Sequence, residues 1–292
     1  MQELGIVLVR GIGSGAIYAL IAMSLTIIYN TSTILNFAQG FWVVAAGGLA
    51  VSWLPAGVGV GGYVLGLLAV VAVIVALVSV QGVATLLPLR GGTSQHSWLV
   101  TTLAASVIIG ALVERTLGSD SLNIPTVFGS FGVFGVQTSV LYLVAIAFAV
   151  VVFAALSLFY RRTDAGLAMQ ALRQDYDVAR AAGIPARRLQ IASFAIAGLI
   201  LGLTGYLFGP ILALSSTSGL NLVIGGFTVA IVGGLSSLRG AVLIGPLFGM
   251  ATQAATTWIG ADFQSAVVLG ILVVVLLVVP QGLFGRPAAR RV

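Results

Sequence analysis

The residues best equipped for polar chemistry lie together. Arg161 to Gln190, RRTDAGLAMQALRQDYDVARAAGIPARRLQ, holds six of the chain's thirteen arginines and three of its seven acids, between two blocks of almost uninterrupted apolar sequence. Six guanidinium groups and three carboxylates, net +3, isolated in so hydrophobic a chain are expected to meet a water-soluble partner through ion pairs and hydrogen bonds. Covalent chemistry is poorly supplied elsewhere. There is no cysteine, hence no disulfide, thiolate nucleophile or cysteine metal site, and the lone His96, in the loop GGTSQHSW, cannot build a histidine metal centre. The chain lacks lysine and any GxxxxGK[ST] run, so it carries no phosphate loop for ATP.

Two further sets of polar residues fall inside or beside apolar stretches, where each is expensive unless it faces protein or water. Asn36 and Gln39 sit in TSTILNFAQGFW, beside Phe37 and Gly40 and after a polar break from Asn30 to Thr33. Two readings stand: a broken helix presenting amide and backbone groups to a polar solute, or an interhelical amide contact. Glu114, next to Arg115 and near Asp120, is expected at the outer end of its segment, paired with an arginine or in external water. No second carboxylate lies within the apolar segments to form a proton relay with it.

The elements that must position these residues are set by the solvent. Charged residues are 7% of the chain, against roughly 25% in soluble domains, and the mean hydropathy is +1.16. The expected fold is an all-α, polytopic transmembrane bundle, because unpaired backbone groups cannot face lipid. Nine apolar windows can be drawn: Ile6 to Tyr29, Ile34 to Leu54, Tyr63 to Leu87, Trp98 to Leu117, Ser139 to Tyr160, Ile191 to Leu212, Leu222 to Leu235, Val242 to Ile259 and Phe263 to Val279. Those beginning at Ile34 and Leu222 contain glycine pairs or polar breaks and could be short or re-entrant, which gives a range of eight to ten segments. No polar linker divides the chain, so residues 1–292 form one domain, with 161–190 a loop inside it.

Arginine placement orients the bundle. The Arg161 to Arg188 loop and the tail with Arg286, Arg290 and Arg291 are expected to be cytoplasmic; the four windows between them, an even number, make the two assignments agree. Arg90 is placed on the same side, and the three windows before it put the N-terminus outside. The first window lacks a basic stretch and a cleavage site, so it is expected to be retained.

Within the loop, Asp164 is expected to cap a helix starting near Ala165. Leu167, Ala168, Ala171 and Leu172 would repeat on one face, and Gly183 with Pro185 would end the run, giving one short helix across the membrane face. The 38 glycines include the spaced run Gly11, Gly13 and Gly15, and the set Gly233, Gly234 and Gly240. In lipid, such residues let helix backbones touch.

Three stretches resemble one family. GAIYALIAMSLTIIYNTSTILNFAQG (15–40) looks like the opening signature of LivH-type permeases, the integral-membrane subunits of ABC importers of branched-chain amino acids. AMQALRQDYDVARAAGIPARRLQIASFAIAGLILGLTG (168–205) resembles that family's ATPase-facing loop and following helix, and IVGGLSSLRGAVLIGPLFG (231–249) its late glycine-rich signature. The resemblance implies a homologous LivM-type permease partner, an extracytoplasmic solute-binding protein, two cytoplasmic ATPases that hold ATP and Mg, a place in the bacterial inner membrane, and no nucleic-acid partner and no cofactor on this chain. It assigns Asp175, Ala179 and Gly183 to the coupling loop, with Ala179 and Gly183 allowing close docking and Arg173, Arg180 and Arg187 making ion pairs at that surface. It places Asn36, Phe37, Gln39 and Gly40 on the solute path, in the family's NFAxG segment, where Gln39 replaces a frequent histidine. That departure leaves urea or a short amide as the alternative to a branched-chain amino acid. A secondary carrier or channel fits less well, since no coupling-ion site or repeated pore motif is present.

Overall fold

The computed structural model describes residues 2–55, 57–86, 97–118, 121–133, 135–215, 218–260, 263–278 and 282–285. In chain order its elements are α1 (Gln2–Ser32), α2 (Gln39–Trp53), α3 (Val60–Leu86), α4 (Ser97–Leu117), β1 (Ser130–Val133), β2 (Val136–Ser139), α5 (Leu141–Arg162), α6 (Asp164–Gln174), α7 (Tyr176–Ala181), α8 (Ala186–Leu212), α9 (Ser218–Gly233), α10 (Leu238–Trp258) and α11 (Gln264–Val278). The architecture is an all-α bundle, and each of the nine apolar windows falls on a helix. Among the described residues five helices, α1, α3, α4, α5 and α8, are long and apolar enough to cross a membrane. Arg90, His96, Asp120, Arg286, Arg290 and Arg291 lie outside the described residues.

The windows at Ile34 and Leu222 yield short helices: α2 has 15 residues and α9 has 16. Residues 33–38 are not helical, and the window from Ile34 becomes helix only at Gln39. One element escaped the sequence reading, the antiparallel hairpin β1–β2, which pairs Ser130 with Ser139 and Val133 with Val136. Four-residue strands give too little alternation to stand out beside the apolar windows. The hairpin is held to α1 where Arg10 Nη2 donates to the Gln137 carbonyl at 2.9 Å.

Helix α1 spans the bundle, about 46 Å at 1.5 Å per residue. Trp258 at the end of α10 donates to the Glu3 carboxylate at 3.2 Å, whereas Thr31, near the end of α1, donates to Ser193 near the start of α8 at 2.8 Å. The N-terminus and hairpin therefore share one end. Arg161, Arg173, Arg239 and Gly285 surround a common cavity at the other, hereafter the arginine-rich end. Glu114 is exposed near the end of α4.

The central seam is α1 against α10, and glycine makes it possible. A Cβ on Gly15 would lie 2.3 Å from the Gly245 carbonyl oxygen, and one on Gly249 would lie 2.2 Å from that of Gly11. Gly11 and Gly15 on one helix and Gly245 and Gly249 on the other are each four apart, the spacing at which residues share a helix face. Without a hydrophobic drive between helices in lipid, this backbone contact supplies the attraction. Gly13 faces another way, onto Tyr142 of α5. Large apolar side chains on α3, α4, α5 and α11, among them Leu65, Val107, Val151 and Leu277, point outward, as lipid or an apolar partner requires.

Candidate functional site

Two regions gather the polar residues singled out above. The first is the start of α2. Asn36 is fully buried, and its Oδ1 accepts from Ala38 N at 3.0 Å and from Gln81 Nε2 at 2.8 Å. Asn36 Nδ2 donates back to Gln81 Oε1 at 3.3 Å, which also receives Trp42 Nε1 at 2.7 Å. These bonds fasten the unwound segment to α3, a contact of the interhelical amide kind.

Gln39 differs. It is fully buried and its Oε1 accepts from Ser24 of α1 at 3.0 Å, but its Nε2 has no hydrogen-bond partner among the described residues. An unmade bond to a buried donor costs about 1–3 kcal/mol, so such a group needs an explanation. Helix α2 also begins without a side-chain cap, leaving the N–H groups of its first turn without side-chain acceptors. Phe37 stacks on Phe227 of α9 at 5.0 Å between centroids. Gly40 admits α9 to the start of α2, since a Cβ there would lie 2.2 Å from the Gly219 carbonyl oxygen. Two short helices thus meet near their N-terminal ends inside the bundle, with Gln39 beside the contact.

The second region is the arginine-rich end. The single helix expected there is two, because Asp175 interrupts it. Its backbone is extended, and its Oδ1 accepts from Asp177 N at 3.1 Å and Val178 N at 3.0 Å, capping α7. The expected Asp164 cap is also corrected. Thr163 is the N-cap of α6, its Oγ1 accepting from Gly166 N at 3.0 Å, and Asp164 sits in the first turn. Gly183 ends α7 with φ +85, a left-handed conformation that glycine adopts without strain.

These two helices are fixed to the bundle by a small core of Tyr160, Met169, Leu172, Ala179, Ala186 and Leu189. Gln170 Nε2 donates to the Tyr160 carbonyl. Arg173 Nη2 donates to Ser236 Oγ in the α9–α10 turn at 3.1 Å, and Gln190 Nε2 donates to the Thr31 carbonyl at 3.3 Å. The segment is thereby connected to α1, α5, α8 and α10. Ala179, read as a docking residue, is turned inward, where its small side chain lets α7 pack down. Arg180 and Gly183 are exposed, and Arg187 is half-buried. The outward face also carries Tyr176 and Val178, with the Arg180 guanidinium 5.7 Å from the Tyr176 ring centre. Sequence reasoning passed over these two, although they are the apolar residues of a short charged helix.

Comparison with known proteins places the chain in a family. The chain is 28% identical to the high-affinity branched-chain amino acid transport system permease protein LivH of Salmonella typhimurium, over 97% of this chain and 96% of that one. It is 29% identical to BraD, the corresponding permease protein of Pseudomonas aeruginosa, over 98% and 97%. The solved structure of PsaBC from Streptococcus pneumoniae in complex with Fab aligns over 93% of this chain and 91% of its own at 11% identity and a TM-score of 0.48. Residues 7–276 match the profile of the branched-chain amino acid transport system permease component, and the chain belongs to that family of ABC importer permease subunits.

Proposed function

We propose that this chain forms half of a translocation path for branched-chain amino acids in a bacterial inner membrane. A homologous LivM-type permease forms the other half, two cytoplasmic ATPases drive it and an extracytoplasmic binding protein delivers solute. The observation that carries the reading is the family match over residues 7–276, whose named relatives are branched-chain amino acid permeases. In this reading the arginine-rich end is cytoplasmic, as the clustering of arginine there favours, and the N-terminus and hairpin are extracytoplasmic.

The chain's own part is mechanical. The exposed face of α7, with Tyr176, Val178, Arg180 and the following Gly183, receives the ATPases, which hold ATP and Mg and do the hydrolysis. Because α6 and α7 share a core with the end of α5 and the start of α8, a push on them moves those helices. The Arg173–Ser236 and Gln190–Thr31 bonds carry the motion to α10 and α1. The solute passes between this subunit and its partner, and the motion of the helices opens the buried α2–α9 contact onto that path. Gln39 Nε2 and the uncapped α2 N-terminus are donors suited to a carboxylate, and Phe37 with Phe227 gives an apolar surface for an aliphatic side chain.

Uptake by proteoliposomes holding the complete transporter tests the substrate. Radiolabelled leucine should accumulate and unlabelled valine and isoleucine should compete. Accumulation of urea with no uptake of leucine would move the chain to the urea and short-amide branch.

A further inference from the structure

At the hairpin end, residues 121–129 lead from α4 to β1 without regular structure, yet they are fastened across the bundle. Leu122 N donates to the Leu214 carbonyl at 2.7 Å, and the Phe128 ring packs against Tyr63 near the start of α3, 6.4 Å between centroids. Between these two anchors Ile124 is turned inward and is 7% exposed. Its Cδ1 fills a notch left by two glycines: a Cβ on Gly47 of α2 would lie 2.9 Å from it, and one on Gly209 of α8 would lie 2.3 Å from it. Leu214 is fully buried and its side chain shares the notch, its Cδ1 lying 2.7 Å from where a Gly47 Cβ would be.

What this loop holds is the hinge before α9. Ala213 ends α8 with φ +45, a left-handed conformation that is costly for a residue with a Cβ. Among the described residues the other non-glycine with positive φ is Thr33, at +56, which begins the non-helical segment before α2. Strained turns thus precede both short helices. Such a turn persists only where its surroundings fix it. Leu214 is gripped on its side chain by the notch and on its carbonyl by Leu122, and so fixes the turn at Ala213. From there the chain passes through a turn closed by Ser218 N donating to the Ser215 carbonyl at 3.1 Å, and enters α9. The first residues of α9 are those that pack on α2: Gly219 and Val223 both lie against Gly40.

We infer that residues 121–129 are an outer latch on the α2–α9 contact. With Ile124 seated between Gly47 and Gly209, the start of α9 stays on α2, and the surface at Gln39 and Val223 is closed to the extracytoplasmic side. Withdrawal of Ile124 frees the turn at Ala213 and lets the start of α9 move away. The seat consists of side-chain ends and one backbone hydrogen bond, contacts that break without baring a buried charge. The inference rests on the proposed solute path at this contact.

The chain has no cysteine, so single cysteines report the latch directly. Right-side-out membrane vesicles holding the complete transporter are treated with a charged, membrane-impermeant maleimide, and the label is read on this chain after separation from its partners. Val223→Cys, at a position 2% exposed, should label slowly without ATP. Adding Ile124→Ala, or Gly209→Ala, whose Cβ would meet the side-chain ends of Ile124 and Leu214, should speed that labelling about tenfold. Val127→Ala, at an exposed position of the same loop, should leave it unchanged. Val78→Cys, fully buried between α3 and α8, should stay protected in every background. Ile124→Cys should label about tenfold faster while leucine is taken up than at rest. Unchanged Val223→Cys labelling in both latch variants would overturn the inference, as would a parallel rise at Val78→Cys or an Ile124→Cys rate that ignores transport. Failure to take up any solute would strike the proposed function instead, and the arm without ATP would still decide whether the latch closes this contact.

Discussion

Arg173 on α6 donates to Ser236 in the α9–α10 turn at 3.1 Å, and this bond joins residues 63 positions apart. It gives α6 a direct hold on the turn that leads into α10, and α10 packs along α1 through the glycine seam. Ser236→Ala removes the acceptor and leaves α6 otherwise intact. The loss of a partly exposed, charge-assisted bond is worth about 1 kcal/mol, so transport per ATP hydrolysed should fall about fivefold. Parallel assays of leucine uptake and phosphate release measure the ratio, and an unchanged ratio would remove this bond from the coupling route.

Gly183 is exposed, and a Cβ there would meet nothing within 4 Å, so its φ of +85 alone restricts what can replace it. Gly183→Val places a β-branched residue in the left-handed region, at a cost of about 1–3 kcal/mol. Membrane insertion should persist, while ATPase copurification and solute-stimulated hydrolysis should fall together. Normal stimulated hydrolysis in this variant would show that the turn after α7 does not serve coupling.

The α1–α10 seam predicts a contrast between two glycines. Gly249→Val would set a Cβ 2.2 Å from the Gly11 carbonyl oxygen, whereas a Cβ on Gly270 would touch nothing within 4 Å. Overpacking at the first should destabilise the protein by about 1–3 kcal/mol. Thermal unfolding in detergent should therefore come several degrees lower for Gly249→Val and stay near wild type for Gly270→Val.

Gln81 and Gln39 are both buried amides, yet they should fail differently. Gln81→Leu leaves Asn36 Nδ2 and Trp42 Nε1 without their acceptor, about 1–3 kcal/mol of destabilisation visible as a lower unfolding temperature. Gln39→Ala removes an unpaired donor along with one bond to Ser24, so its larger effect should be on the ratio of leucine to urea uptake. A Gln39→Ala transporter with an unchanged ratio would take this residue off the solute path.

Apolar periodicity made the helices legible, and the glycine pairs and polar break marked α2 and α9 as short. Local capping was harder. Thr163 and Asp164 are adjacent and both carry cap-forming oxygens, so spacing alone did not separate them. Asp175 lay inside one charged run, and its capping bonds to residues 177 and 178 are what divide that run. Ala179 illustrates another limit: its small size suited both a docking face and an inward contact, and only the position of α5 and α8 decides between them. The partner of Asn36 is 45 residues away, and the cavity joins Asn30, Tyr160 and Arg239 from three separate helices. Long-range meetings of this kind leave no local periodic trace.

The most direct test of the proposed function is leucine accumulation in proteoliposomes containing this chain, its permease partner, the binding protein and the two ATPases, with ATP inside or withheld, with and without a proton gradient. Accumulation that needs ATP, stops when the ATPases are catalytically inactive and ignores the gradient is the predicted result. Leucine accumulation that follows the proton gradient without ATP would contradict the account and identify a secondary carrier.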